Sequence, residues 1–372
     1  MPLPNGMHLG KQPPRLDPRT LQYAKYRLTT ALPAVPPGDI GHEGIVADWP
    51  MCGNGPDDSV YPGFQGAGDC VFAGGDHETQ LWTTEGGTPA AFNGSTAISD
   101  YSAVTGYNPD VPSSDQGTDV LTALNYRRNT GLLDLAGNRR HKIGAFLAMD
   151  VSRIKAGDFG ELYEALYLFD TVAIGINFPD TAMNQFDTGQ IWDVVSGAAI
   201  EGGHYIPLTY IYADGTMDVV TWAKLQRMTA AFLSAYCDEA YAILSPEMLK
   251  GGISIDGFDL AQLQADLAAL DTAPAPPAPV PPDIDTVVLT IGDNMCLVNG
   301  YQVMIDDNPA VVPAIGAGDR TMIPCRFVAE SMGADVIWNA VERSVTITFP
   351  RPLQPGSYTE ITETTEKFGI IS

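Results

Sequence analysis

A cysteine and a histidine, far apart in the sequence, have the flanking patterns of a nucleophile and its base. Cys70 follows the glycine-rich stretch Gly66-Ala67-Gly68-Asp69 and opens a predicted helix that runs to about Trp82. A thiol in the first turn of a helix lies beside unpaired N–H groups and the positive end of the helix dipole, which favours the thiolate. His204 lies about 134 residues later, at the start of a predicted apolar strand. This order and spacing predict a thiol–imidazole pair.

Residues 46–250 resemble papain-like cysteine peptidases. The motifs that carry the resemblance are Gln65 ahead of Gly68-Asp69-Cys70, Gly203-His204 at a strand start, and Val220-Thr221-Trp222 at the place of the family's Asn-Ser-Trp. The stretch Trp49-Pro50-Met51-Cys52-Gly53-Asn54 also resembles a divergent branch carried by bacterial and phage genomes. The resemblance implies an α+β fold with a helical lobe, an antiparallel sheet or barrel lobe, and a cleft between them.

The same resemblance implies roles for three residues. Cys70 would be the nucleophile and His204 the base, while the Gln65 side chain and the Cys70 N–H would stabilise the oxyanion. Gln65 stands five residues before the cysteine, one fewer than in the family, which puts its reach in doubt. Each residue also has an ordinary structural interpretation, because a lone helical cysteine is usually a small buried hydrophobe and a strand-initial histidine is often a surface residue.

The residue that should orient the imidazole is the main departure from the family. The family's Asn falls at Val220, which offers no acceptor. Asp218 or Thr221 could replace it, from the same predicted strand. Loss of an orienting partner lowers turnover by orders of magnitude in the serine-protease triad. Asp69, next to the thiol, is expected to raise the thiol pKa if the two groups lie close together.

Residues 285–349 resemble the small domain at the N-terminus of some copper amine oxidases, which is repeated in bacterial surface proteins. The resemblance lies in Val298-Asn299-Gly300, Arg320-Thr321-Met322-Ile323-Pro324, Arg326-Phe327-Val328-Ala329-Glu330 and Val345-Thr346-Ile347. It implies a non-catalytic module without a copper site. Between the two domains, Thr272–Pro282 is a proline-rich spacer that favours extended polyproline II.

These features divide the chain into five parts. They are a proline-rich arm (1–45), the papain-like domain (46–250), a helix and proline-rich linker (251–284), the small α+β domain (285–350) and a polar tail (351–372). The arm is expected to lie along the main domain or a neighbouring chain, as a surface arm rather than an inhibitory propeptide. Helices precede an antiparallel sheet in the main domain, where Asp214-Gly215 predicts a hairpin.

Composition restricts the partners. The chain has 45 acidic and 20 basic residues, a net charge of −25, so nucleic-acid binding is not expected. No apolar run is long enough to span a membrane, and the first residues lack the apolar core of a secretory signal. The five cysteines are scattered without a Cys/His cluster, so neither a metal site nor another cofactor is expected.

Two functions remain open. The first is a papain-like scaffold that acts as a structural or binding component of a larger assembly, a phage virion or a bacterial surface, with catalysis weakened or lost. This function is favoured by Val220, by the proline-rich spacer and by the second domain, which resembles a surface module. The second is an active cysteine hydrolase, a peptidase or amidase, with a peptide as the possible substrate. The expected partners are other protein subunits, and the expected location is a virion or the extracellular space after cytoplasmic synthesis.

Overall fold

The computed structural model describes two compact units, Met1–Ala273 and Pro274–Ser372. In the first unit it describes residues 3, 5–15, 17, 20–29, 34–135 and 139–250. In the second it describes residue 305 and seven short strands. The predicted helix at 256–270, the proline-rich spacer, the predicted helix at 326–332 and the tail lie outside the described residues.

The described part of the first unit contains eight α-helices and three short 3-10 helices. Several begin at a side-chain cap: Asn93 accepts from the Thr96 N–H, and Asp119 accepts from the Thr122 N–H. The α-helices are α1 (Tyr23–Thr29), α2 (Cys70–Glu85), α3 (Gly94–Thr105), α4 (Val120–Asn129), α5 (Val151–Lys155), α6 (Gly160–Phe169), α7 (Asp180–Asp187) and α8 (Ala230–Tyr236), and the 3-10 helices are Glu43–Ile45, Pro112–Ser114 and Pro246–Met248.

A seven-stranded antiparallel sheet forms the other half of this unit. Its strand order is β4-β9-β5-β6-β7-β8, with β1 paired to β6, and β2 and β3 form a separate hairpin. Within the described residues the sheet stays open, so the barrel form of the predicted lobe is not seen. The strands are β1 (Ile40–Gly41), β2 (Leu132–Leu133), β3 (Arg140–His141), β4 (Ala145–Ala148), β5 (Val172–Pro179), β6 (Ile200–Ile211), β7 (Met217–Thr221), β8 (Lys224–Met228) and β9 (Cys237–Leu244).

The predicted α+β class is confirmed, and most predicted elements are present with shifted ends. The hairpin across Asp214-Gly215 joins β6 to β7, and Gly215 takes the positive φ of +82° that its turn requires. Sequence patterns missed α5, α7 and β8. The helix expected from Met228 begins at Ala230, because Met228 is the last residue of β8.

Helix α2 lies against the sheet. Gly74 faces the ring of Tyr205 on β6 so closely that a Cβ there would collide with it. The Trp82 indole N–H donates to the Phe169 carbonyl oxygen at 2.8 Å, which ties α2 to α6. Full burial of such large side chains stabilises the fold by roughly 1.5–3 kcal/mol each. This packing fixes the first turn of α2, and with it Cys70, against β6.

The segment before α1 is part of the main domain rather than an arm on its surface. Leu9 and Lys11 are buried, and α1 places Tyr23 and Tyr26 in the core. The Lys11 N–H donates to the Gly203 carbonyl oxygen at 3.1 Å. The expected contact along the main domain is therefore present, and these apolar and hydrogen-bonded residues are enclosed by it.

The described strands of the second unit form one three-stranded and two two-stranded antiparallel sheets. Strands β11 and β12 pair antiparallel, with Val298 opposite Tyr301. Ile305 is buried. The strands are β10 (Val287–Leu289), β11 (Met295–Val298), β12 (Tyr301–Met304), β13 (Ala314–Ile315), β14 (Thr321–Met322), β15 (Asp335–Asn339) and β16 (Ser344–Thr348).

Candidate active site

Cys70 is the first residue of α2 and is enclosed on all sides, with 2% of its surface exposed. The backbone N–H groups of Tyr205 and Gly10 lie near its sulfur and act to lower the pKa of the thiol. Burial raises the pKa of the Cys70 thiol to about 11, and the nearby Asp69 adds to the rise, while the two amides and Lys11 oppose it. The expected thiolate is therefore not the stable form here, because desolvation outweighs the helix N-terminus.

His204 lies inside β6 rather than at its start and is also buried. Its Nε2 lies 2.7 Å from the Thr221 hydroxyl oxygen on β7. Among the described residues, its Nδ1 has no hydrogen-bond partner. Burial, with a smaller contribution from the Lys11 charge, lowers the pKa of His204 to about 3, so the imidazole is neutral. The nitrogen bonded to Thr221 is thus fixed, and Nδ1 is the nitrogen left to exchange a proton.

The backbone beside His204 lies near the sulfur of Cys70. The Tyr205 N–H, which lowers the pKa of the thiol, belongs to the residue next to His204. Strand β6 thus carries the imidazole and an amide that acts on the thiol. Cys70 therefore lies beside the strand that carries the predicted base.

Trp222 covers the imidazole. Its ring stacks on His204 with centroids 4.5 Å apart and planes inclined by 18°, and Phe178 meets the same imidazole edge-on at 5.8 Å. Trp222 and Ala223 form the turn between β7 and β8 with φ values of +46° and +61°. Bulky residues rarely adopt this left-handed conformation, and such strain concentrates at functional sites. The strained turn places the indole on the imidazole.

The two candidates for the orienting residue are separated by the sheet geometry. Thr221 contacts His204, whereas the Asp218 carboxylate accepts from the Tyr212 hydroxyl at 2.7 Å and from Arg227 Nε at 3.1 Å. Val220 packs instead with Trp49 and Leu81 in a small apolar cluster. A threonine hydroxyl therefore takes the position of partner to the imidazole.

Gln65 does not have the position expected of an oxyanion donor. It is exposed, and its amide nitrogen donates to the Gly63 carbonyl oxygen at 2.8 Å. Its predicted role has no support in this conformation, since its amide hydrogen is directed to its own loop. The Cys70 N–H, at the first residue of α2, keeps the position that the sequence predicts for it.

His77 and the acid beside the thiol are both buried. The His77 Nε2 lies 2.7 Å from the Pro50 carbonyl oxygen, its ring meets Trp49 edge-on, and burial lowers its pKa to about 4. It is a packed helix residue rather than a base. Asp69 is fully buried, and burial raises the pKa of its carboxyl well above the usual range.

Sequence patterns missed residues 8–12, which cross the site. The Gly10 N–H lies near the Cys70 sulfur, and the His8 carbonyl oxygen accepts from the Trp222 indole at 3.4 Å. A Cβ at residue 10 would collide with the Gly68 carbonyl oxygen, so only glycine fits there. The single available signal is a glycine followed by lysine in a proline-rich segment, which does not specify a contact 60 residues further along the chain.

The described residues contain no group of three or more His, Cys, Asp or Glu side chains arranged to hold a metal ion. Across that same part of the chain, no helix has the length and apolar character needed to cross a bilayer. Three cysteines, Cys52, Cys70 and Cys237, are described as free thiols.

Comparisons with known proteins gave a family-model match in the second unit and a set of similar solved structures. Residues 283–347 match the family model of the copper amine oxidase N-terminal domain. Among solved structures, xylellain, a cysteine protease from Xylella fastidiosa, is 11% identical with a TM-score of 0.45, covering 66% of this chain and 98% of its own. A structure from a study of the mite allergens Blo t 1 and Der p 1 is 10% identical with a TM-score of 0.36, covering 64% and 80%.

A search among curated proteins gave no match. The helical half and the antiparallel sheet described above are the α+β arrangement predicted for residues 46–250, and the family model covers the predicted second domain.

Proposed function

We propose that the first unit is a cysteine hydrolase, a peptidase or amidase, that the structure captures with its site covered. Cys70 is the nucleophile and His204 the base, with Thr221 as the partner of the imidazole. The observation that carries the proposal is the bond between His204 Nε2 and the Thr221 hydroxyl, which leaves Nδ1 unpaired among the described residues. The thiol meanwhile lies near the backbone N–H of the next residue, Tyr205.

The reaction follows from this arrangement. His204 Nδ1 takes the proton of the Cys70 thiol as the sulfur attacks the carbonyl carbon of the substrate. The imidazolium returns the proton to the leaving amine, and an acyl group remains on the sulfur. A water molecule, deprotonated by the same nitrogen, then releases the acid and restores the thiol. The Cys70 N–H at the start of α2 stabilises the oxyanion in both steps.

The raised thiol pKa and the lowered imidazole pKa belong to the covered state. Both groups are fully enclosed, and the Lys11 charge contributes to the lowered pKa of His204. When residues 8–12 leave, water reaches both groups and the desolvation that dominates both shifts falls. Displacing this segment should therefore restore ionisation of the pair.

Hydrolysis in a variant with a loosened segment tests the proposal. Lys11→Ala removes a buried ammonium that anchors residues 8–12. We expect this variant to cleave peptide or amide substrates and to show an acyl adduct on Cys70 by mass spectrometry. Cys70→Ala in the same background should show neither. Turnover that persists without Cys70, or no adduct on any substrate, would contradict the proposal.

A scaffold role is the second candidate, and one observation favours it. The thiol is buried beside Asp69, and burial together with that carboxyl raises its pKa to about 11. A protein that binds partners in a larger assembly, on a virion or a bacterial surface, needs no ionised thiol. Such a protein would show slow Cys70 labelling even in Lys11→Ala, at a rate similar to that of the buried Cys237.

A further inference from the structure

Residues 8–12 cross the site in an extended conformation and bond to both of its walls. On the sheet side, the Lys11 N–H donates to the Gly203 carbonyl oxygen at 3.1 Å. On the helical side, the Thr118 N–H donates to the Gly10 carbonyl oxygen at 2.9 Å, and the Gln12 N–H donates to the Thr118 carbonyl oxygen at 3.0 Å. Paired main-chain bonds of this kind hold any extended peptide, whatever its side chains.

The side chain of Lys11 lies in a pocket that provides one acceptor for each N–H of its ammonium group. The ammonium lies 2.9 Å from Asp238 Oδ2, 3.0 Å from Glu239 Oε1 and 3.0 Å from the Gln12 carbonyl oxygen. Three donors therefore meet three acceptors, and the lysine side chain is fully buried. The third acceptor belongs to the crossing segment itself, so the main domain supplies the two carboxylates.

The shape of the pocket depends on β5 and β9. Gly175 on β5 leaves room for the lysine stem, since a Cβ there would lie 2.9 Å from Lys11 Cδ. The Tyr241 hydroxyl donates to Glu239 Oε2 at 3.1 Å and fixes that carboxylate. Both carboxylates are almost fully enclosed. Two buried acids facing one position destabilise the domain unless a cation lies between them.

We propose that Gly175, Asp238 and Glu239 form a specificity pocket for a lysine side chain of an extended peptide that replaces residues 8–12. The preferred ligand carries glycine before the lysine, because Gly68 leaves no room for a Cβ at that position. That the lysine peptide is a substrate rests on the proposed hydrolase function. That the pocket binds a lysine side chain does not require catalysis.

Peptide binding to the full chain tests the pocket. The protein is Lys11→Ala, in which the pocket lacks its own lysine. The probe is a fluorescent, end-capped peptide with the sequence of residues 5–15, compared with the same peptide carrying norleucine in place of lysine. Norleucine keeps the stem and removes the charge. Fluorescence anisotropy gives the two dissociation constants, and protection of Cys70 from alkylation shows that the peptide covers the site.

We expect the lysine peptide to bind at least about tenfold more tightly than the norleucine peptide, because the latter leaves two buried carboxylates unpaired. Lys11→Ala/Glu239→Gln should lose most of this preference. Lys11→Ala/Glu201→Gln, which changes an exposed glutamate on β6, should keep it. Equal binding of the two peptides, or a preference that survives Glu239→Gln, would overturn the pocket.

A replacement variant covers the case in which the first one does not fold, and the binding and hydrolysis results together distinguish failure of the pocket from failure of the hydrolase. If Lys11→Ala does not fold, Lys11→Gln keeps a polar group between the carboxylates and serves in its place. Binding that prefers lysine without hydrolysis keeps the pocket and contradicts the hydrolase. Hydrolysis without a lysine preference keeps the hydrolase and contradicts the pocket.

Discussion

At the scale of single residues, the site depends on one hydroxyl. Thr221 is the hydrogen-bond partner of His204, in a protein whose sequence places valine where an amide side chain was expected. A hydroxyl can accept the Nε2 proton as an amide oxygen does, so the same tautomer of the imidazole is held. The hydrogen-bond partner of the imidazole thus stands one residue further along β7 than Val220.

Thr221→Val is therefore expected to lower kcat/KM of the uncovered enzyme by about 10- to 100-fold, the equivalent of one lost hydrogen bond at a buried ring. The measurement is hydrolysis in the Lys11→Ala background. Thr171→Val is the matched control, because Thr171 is fully buried and its hydroxyl has no hydrogen-bond partner in the described structure. Equal losses of kcat/KM in the two variants would contradict a role for Thr221 in orienting the imidazole.

His77 gives a prediction on stability at the same scale. The pKa of this histidine is lowered by burial to about 4, so the folded protein holds it neutral while the unfolded chain protonates it near 6.5. The contribution of the neutral ring to the free energy of unfolding is fully present above pH 6.5. It is lost as pH falls toward 4, a change of about 3 kcal/mol. His77→Gln should remove this part of the pH dependence.

The measurement is the free energy of unfolding in urea for both proteins at a series of pH values. Glutamine can still donate to the Pro50 carbonyl oxygen, so the comparison isolates the titration of the ring. A difference between the two proteins that does not change with pH would contradict the assignment.

At the scale of elements, the segment at residues 8–12 controls access to the thiol. It passes between glycines, because Gly10 lies against Gly68 on one side and Gly117 on the other. Local sequence patterns did not reveal this packing. Each contact joins residues distant in sequence, and glycine does not specify what lies against it.

Gly10→Ala is expected to displace the segment, since its Cβ would collide with the Gly68 carbonyl oxygen. Overpacking of this kind costs roughly 1–3 kcal/mol, enough to raise the rate of Cys70 alkylation about tenfold or more. Gly44→Ala is the control, because nothing lies within 4 Å of its added Cβ. Unchanged labelling in Gly10→Ala would mean that the segment does not limit access.

Acid should also loosen the segment. Burial raises the pKa of Glu239 to about 7, with Asp238 adding to the rise and Lys11 and the Tyr241 hydroxyl opposing it. Lys11 lowers the pKa of Glu239 only while the two groups are paired, so protonation of Glu239 and release of Lys11 favour each other. Release then takes up protons, and it is favoured as pH falls through about 7.

The measurement is the ratio of Cys70 alkylation rates in wild type and Glu239→Gln at each pH, which cancels the intrinsic pH dependence of the reagent. We expect a low ratio above pH 7 that rises toward one in acid. A ratio independent of pH would contradict a role for Glu239 in holding Lys11.

At the scale of the whole molecule, short sequence patterns predicted helices and turns, whereas contacts between distant residues set the pKa of the thiol. The Asp214-Gly215 turn and the helix at Cys70 are encoded by adjacent residues, and both are present. The thiol pKa is different, because it sums burial and charges from Asp69 and Lys11. A helix N-terminus alone therefore gave the wrong direction for that pKa.

The second unit shows the same division. The Asn299-Gly300 motif lies in the sequence between β11 and β12, which pair antiparallel. The family-model match at residues 283–347 follows the motifs that carried the resemblance. Its partners in an assembly remain a prediction.

The central claim is that Cys70 and His204 act as a nucleophile–base pair once residues 8–12 leave. The most direct measurement is the pH dependence of Cys70 alkylation in Lys11→Ala, with and without His204→Ala, followed by peptide mass spectrometry. A paired thiol should react well below the ordinary thiol pKa of about 8.5, and His204→Ala should abolish that reactivity. Identical profiles that both rise only near the ordinary thiol pKa would contradict the claim.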